Sequence, residues 1–208
     1  MRVLITGFGP FPGAPFNPSA VLANALGRRR RPALAGIERA THVFATTYAS
    51  VDRDLPKLFA QKQKPDVVLM FGVAGSRRHL CIETRARNAV ALLFPDASGH
   101  RPQRGTIVRR GPTALKGNAP FASLAGATRG CAFPARLSRD AGGYLCNYAY
   151  WRALEQVRGR RPLVQFVHVP PVGAKSRPRR RGRPLPTLGQ LEKTAEALLI
   201  ALVAASRR

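Results

Sequence analysis

Three short runs constrain the fold of this chain more than anything else in it: "RVLITGF" at residues 2–8, "DVVLMFGV" at 66–73 and "LVQFVHV" at 163–169. Each is nearly continuous in apolar residues. None shows the in–out alternation of a strand with one wet face. Such runs suit a parallel sheet covered by helices on both sides. The segments between them carry helical spacing. Asn17 or Ser19 can cap a helix through Leu26, with Val21, Leu22 and Leu26 on one side. "THVFATTY" at 41–48 reads as another strand, and Ser50 or Asp52 starts a helix to about Gln63. "AVALLF" at 89–94 reads as a further strand. Residues 121–130 and 144–157 read as helices, "ARLSR" between them as extended, and 188–206 as a closing amphipathic helix. Strands alternating with helices predict a single-domain α/β fold, a three-layer α/β/α sandwich around a mostly parallel, twisted central sheet. A length of 208 residues suits one domain spanning 1–208, large enough to bury its own core.

The three cysteines, Cys81, Cys131 and Cys146, cannot all pair and form no CxxC. That argues against a disulfide framework and for a reducing compartment. The opening residues lack the long apolar stretch of a signal peptide, and no apolar run approaches the ~20 residues of a membrane span. A cytoplasmic protein without a membrane partner is the expectation. The charge is less ordinary: 35 basic residues against 10 acidic ones give +25 at pH 7. Basic clusters stand at 27–32 ("GRRRRP") and 175–184 ("KSRPRRRGRP"). They carry no interleaved aromatic residues of the kind that stack on single-stranded bases. No zinc-finger spacing or RNA-binding signature accompanies them. Nonspecific polyanion binding at low salt is the expectation. Residues 173–186 lack apolar periodicity, are rich in arginine, and read as a mobile basic loop.

Open α/β sheets place ligand sites beyond the carboxyl ends of their strands. Phe8 and Phe11 follow the first run, a glycine turn and then Glu83 follow the second, and His168 stands at the end of the third. Cys146 heads a helix after Gly142 and Gly143 in "SRDAGGYLCNYAYW" at 138–151. A helix N-terminus presents unpaired N–H groups and partial positive charge. Both favour a thiolate, the nucleophilic form of cysteine, and the same N–H groups can hold an oxyanion. The alternative is a core thiol, which is how Cys81 and Cys131 read. His168 is either a satisfied structural residue or the base that a cysteine nucleophile needs. Glu83, in an arginine-rich stretch, is either a surface ion-pair partner or the group that orients a catalytic histidine.

Together these motifs resemble the pyrrolidone-carboxylate peptidases, or pyroglutamyl peptidases type I, a family of cysteine peptidases. The likeness is carried by "ITGFGPFPG" with "NPS", by "FGVAGSRRHLCIETRARN", by "SRDAGGYLCNYAYW" and by "FVHVPP", in that order along nearly the whole chain. The resemblance implies an exopeptidase that removes an N-terminal pyroglutamyl residue from peptides. It implies Cys146 as nucleophile, His168 as general base and acid, and Glu83 as the orienting acid. Phe8 and Phe11 match rings that sandwich the flat lactam, with core packing as the other reading. No metal and no cofactor are implied. Family members occur as monomers and as tetramers, so a homotetramer stays open. Pyroglutamate is uncharged, because its amine is locked in the lactam. An apolar slot with a few amide-matching groups therefore suits it better than a carboxylate would.

Two positions depart from the bacterial pattern. "LLFPD" stands where "ARIPD" is common, which puts Leu93 in place of an arginine proposed to help the oxyanion. "IET" replaces a Pro-Glu-Arg triplet, so Ile82 and Thr84 flank Glu83. A rival reading is a noncatalytic polyanion-binding protein on the same fold, with its contact at Lys175 to Arg183. The presence of Cys146, His168 and Glu83 together argues against it, since a binding module needs none of them.

Overall fold

The three apolar runs become three adjacent strands at the centre of a sheet. In the computed structural model the described residues are 1–11, 15–60, 62, 64–157, 161–173 and 185–208. Strands β1 (Arg2–Phe8), β3 (Val67–Val73) and β8 (Leu163–Val169) lie side by side and parallel. Strand β2 (Glu38–Phe44) adds to one edge, and β4 (Leu80–Glu83) and β7 (Ala135–Ser138) to the other. The order is β2-β1-β3-β8-β4-β7, with β4 antiparallel to β8 and parallel to β7. A separate antiparallel pair joins β5 (Arg85–Arg87) and β6 (Ala114–Lys116).

Helices cover both faces, as the strands' two-sided apolar character requires. Val3, Ile5, Val67, Leu69, Val167 and Val169 pack on α1 (Pro18–Arg28), α3 (Phe121–Ala127) and α5 (Leu188–Ser206). Leu4, Phe8, Val68, Met70, Val164 and Phe166 pack on α2 (Tyr48–Phe59) and α4 (Leu145–Glu155). Alternate residues of one strand thus enter opposite layers. Fully burying one such side chain contributes roughly 1.5–3 kcal/mol. The chain is therefore a single-domain α/β fold with a mostly parallel central sheet flanked by helices. Among the described residues no helix is long and apolar enough to cross a membrane.

Local chemistry sets the helix starts. Asn17, not Ser19, caps α1: its side chain accepts from Ser19 N at 3.1 Å and donates to Gly9 O at 2.9 Å. Thr47 caps α2 by accepting from Ser50 N, so this helix begins at Tyr48 rather than at Ser50 or Asp52, and it ends at Phe59. The strand expected at 41–48 runs instead over Glu38–Phe44, leaving Thr47 free to cap.

The strand expected at 89–94 does not form. The buried Asn147 side chain donates to the Arg87 and Ala89 carbonyls, and Ala91 N donates to Gly143 O. Those bonds bind the segment to the start of α4, and Leu92, Leu93 and Phe94 are left exposed. The sheet position is taken by β4 just upstream. Of the basic stretch read as a mobile loop, residues 174–184 lie outside the described residues. Its flanks meet where Gly173 N donates to Pro186 O.

Candidate active site

Strand register brings the candidate residues to one place. His168 on β8 lies opposite Gly72 of β3 on one side and opposite Cys81 of β4 on the other. Glu83, two residues beyond Cys81, points to the same sheet face as Cys81, because side chains repeat with period two. That is the face covered by α4, which carries Cys146. Positions far apart in sequence thus meet at one end of the sheet.

Glu83 is fully buried and His168 is 4% exposed. His168 Nδ1 lies 2.8 Å from Glu83 Oε1. This contact leaves Nε2 as the ring nitrogen available to Cys146. The backbone of Glu83 is fixed as well: its carbonyl accepts from Tyr150 Oη at 3.0 Å and from Gln165 Nε2 at 3.1 Å. The carboxylate also receives Arg77 Nη1 at 3.0 Å, on the same Oε1.

Cys146 is the second residue of α4. Asn17, Thr47 and Thr187 close the starts of α1, α2 and α5 with side-chain caps, but no side chain caps α4 at Tyr144. Its first-turn N–H groups are therefore open toward a ligand beside the sulfur. Gly142, at φ 81°, makes the turn that aims the helix start, and Asp140 Oδ1 accepts its N–H at 3.0 Å. Cys146 Sγ lies against Gly72, where an added Cβ would come within 2.6 Å of it. The Cys146 sulfur also acts on the His168 ring and favours its charged form. Burial works against a charged His168 ring, but the Cys146 sulfur and Glu83 outweigh it and raise its pKa from 6.5 to about 9. The imidazolium is the favoured form at neutral pH. The arrangement can hold a thiolate–imidazolium pair and give or take a proton at Nε2. Cys81 differs, since burial pushes its thiol up and away from the reactive form.

The two phenylalanines have unequal settings. Phe8 is 2% exposed, its ring centroid 5.6 Å from that of Phe44 in the core. Phe11 is only half-buried. The loop carrying them is held by Gly9, whose carbonyl accepts from Asn17 and from Thr46 Oγ1 at 3.0 Å. The 91–95 segment is hooked to the start of α4 through Gly143 O and through Tyr144 Oη, which donates to Pro95 O. Leu93 on that segment is 77% exposed.

Sequence reasoning brought Cys146, His168 and Glu83 together and missed three supports: Arg77, Asn147 and Tyr150. Arg77 sits in an Arg-Arg pair that reads as surface charge. Asn147 and Tyr150 sit beside the cysteine in an aromatic-rich helix that reads as core. Only the polar character of Asn147 within a buried helix face hints at its three bonds to residues 87–89.

Comparison with known proteins identifies the family and the fold. The family described as pyroglutamyl peptidase matches residues 1–208. A pyrrolidone-carboxylate peptidase of Thermococcus onnurineus is 35% identical over 172 residues, covering 82% of this chain and 84% of that one. One from Bacillus subtilis is 29% identical over 209 residues, covering 99% and 93%. The crystal structure of pyroglutamyl peptidase I from Bacillus amyloliquefaciens superposes with a TM-score of 0.80 at 26% identity, over 100% of this chain and 97% of that one. The chain belongs to the pyroglutamyl peptidase family, a family of hydrolases.

Proposed function

We propose that this chain removes N-terminal pyroglutamyl residues from peptides, with Cys146 as nucleophile, His168 as general acid and base, and Glu83 as the group that orients and charges His168. The observation that carries the reading is His168, buried between Glu83 and Cys146 with the cysteine at an uncapped helix start. The Cys146 thiolate attacks the carbonyl carbon that links pyroglutamate to the next residue. The oxygen becomes an oxyanion, held by first-turn N–H groups of α4 including that of Cys146. His168 Nε2–H gives its proton to the leaving amine as the C–N bond breaks. A thioester and a shortened peptide result. The now neutral His168 takes a proton from water, whose oxygen attacks the thioester. The C–S bond breaks, 5-oxoproline leaves, and thiolate and imidazolium are restored.

The lactam ring lies in a slot between Phe8 and Phe11. Phe8, fixed by the core, forms the floor, and Phe11 the more accessible wall. The uncharged ring matches this setting because no carboxylate is needed to hold an α-ammonium. The test is hydrolysis of a pyroglutamyl-linked fluorogenic amide beside prolyl and glutamyl amides. Cleavage of the first alone, abolished in Cys146→Ser, is the expected result. Cleavage of all three, or none, contradicts the proposal.

A further inference from the structure

The nucleophile–base reading leaves one conspicuous side chain without a role. Arg77 reaches three acceptors, on β4, on β7 and in the loop after β7: Glu83 Oε1 at 3.0 Å, Ser138 Oγ at 3.0 Å, and the carbonyl of Asp140. Its side chain is 24% exposed, so the ion pair with the fully buried Glu83 is poorly screened. The bridge runs from the orienting carboxylate to the segment that enters the nucleophile helix. Asp140 in turn sets the Gly142 turn through its own carboxylate.

The charges along this line alternate. In the active form they are thiolate at Cys146, imidazolium at His168, carboxylate at Glu83 and guanidinium at Arg77. The four sum to zero. Without Arg77 the same buried group carries a net negative charge, which a low-dielectric setting disfavours. The cheapest relief is a proton on the cluster, which converts the thiolate to a thiol. Other titratable or charged groups nearby are Tyr48 on α2, Tyr144 before α4, Cys81 on β4, Arg136 on β7 and Asp140. His79 lies near Arg77 and Arg136, and two further cations stand close: Arg87 on β5, which pairs with Asp140 at 3.3 Å, and Arg136, which like Arg77 acts on Cys81; neither bonds Glu83, whereas Arg77 does so directly.

We propose that Arg77 is a positioning residue of this enzyme: it completes the neutral four-residue charge line and ties Glu83 to the Ser138–Asp140 approach to Cys146. The inference rests on the nucleophile–base reading, but its first readout does not need turnover. That readout is the pH dependence of Cys146 carbamidomethylation by iodoacetamide, mapped by peptide mass, in the native chain and in Arg77→Gln and Arg77→Lys. The second is kcat and KM for the pyroglutamyl amide, with Ser138→Ala as a control.

In Arg77→Gln the alkylation midpoint should rise by about one pH unit, the scale on which a neighbouring opposite charge acts. Its kcat should fall by up to about a hundredfold, as expected for a misplaced catalytic group, with KM changed less than about threefold. Arg77→Lys should restore the midpoint, because the charge returns. It should recover only part of kcat, because an ammonium cannot span all three acceptors. Ser138→Ala should keep the native midpoint. If Arg77→Gln does not fold, Arg77→Lys decides alone: a native midpoint with reduced kcat supports the inference, and a raised midpoint or a native kcat overturns it. A folded Arg77→Gln with native midpoint and native kcat also overturns it. A native chain that alkylates at Cys146 but hydrolyses no pyroglutamyl amide defeats the functional reading instead, and leaves the midpoint comparison standing.

Discussion

The sulfur of Cys146 stands over the α-carbon of Gly72, in a space that no other residue type leaves free. A Cβ at that position would come within 2.6 Å of Sγ and 2.8 Å of the Phe166 ring. Phe166 is itself fully buried and has no free room to yield, so an added Cβ would act chiefly on the partly exposed Cys146 sulfur. Gly72 is therefore required by proximity to the Cys146 sulfur, not by backbone conformation.

Gly72→Ala should fold with a lower melting temperature, since overpacking costs about 1–3 kcal/mol. Its kcat should fall by about a hundredfold, because displacing a reacting atom by an ångström has that scale of effect. Thermal melting and steady-state hydrolysis of the pyroglutamyl amide check both. Native turnover in this variant would show that the sulfur acts from elsewhere.

Glu83→Gln should retain part of the activity while His168→Ala loses nearly all of it. Glutamine can still accept the Nδ1 hydrogen bond but cannot balance the imidazolium charge or pair with Arg77. Loss of the base removes help worth roughly a hundredfold to ten-thousandfold. Equal losses in two folded variants would show that the glutamate does more than orient and charge the ring.

The pH dependence has a definite sign. The folded chain raises the His168 pKa from 6.5 to about 9. It thus holds a proton that the unfolded chain releases above 6.5. The stabilisation linked to that proton is complete below 6.5 and is lost as pH rises through about 9. Turnover should decline over the same alkaline range, since the imidazolium supplies the proton to the leaving amine. Titration of the His168 ring by NMR should give a midpoint near 9. A midpoint at or below 6.5 would remove the ion pair from the mechanism.

Leu93 marks a position where this chain can gain. It projects from a segment hooked to Gly143, three residues before Cys146, and is 77% exposed. Leu93→Arg should cost no measurable stability, as the side chain packs on little. If an arginine at this position reaches the oxyanion, kcat should rise by about tenfold, a fraction of what one such donor contributes. An unchanged kcat would show that the N–H groups of α4 are sufficient here.

The sheet's centre was legible because three runs are apolar on both faces, and the observed strands coincide with them. Cys146 and His168 stand at boundaries visible in the sequence: Cys146 follows the Gly142-Gly143 turn, and His168 closes an apolar run just before Pro170 and Pro171. The 89–94 run misled because apolar character alone signals a strand. Its backbone bonds go instead to Gly105 and, more than fifty residues away, to Asn147 and Gly143. Strand β4 escaped clear notice because it has four residues, all buried, and pairs antiparallel with a strand more than eighty residues later. Arg77 was illegible on the same physical ground. Its partners are 6, 61 and 63 residues away and no local pattern links them.

The most direct test of the account follows Cys146 itself. Limiting iodoacetamide near neutral pH, with peptide mass mapping and an activity assay on the same samples, compares the three thiols in one experiment. Cys146 should be labelled first, ahead of the buried Cys81 and of Cys131, which is half-buried like Cys146 but faces no base among the described residues. Activity should fall in proportion to that one label, and a pyroglutamyl aldehyde should protect both. Labelling that begins at Cys81 or Cys131, or full modification of Cys146 with turnover intact, would contradict the assignment of Cys146 as the nucleophile.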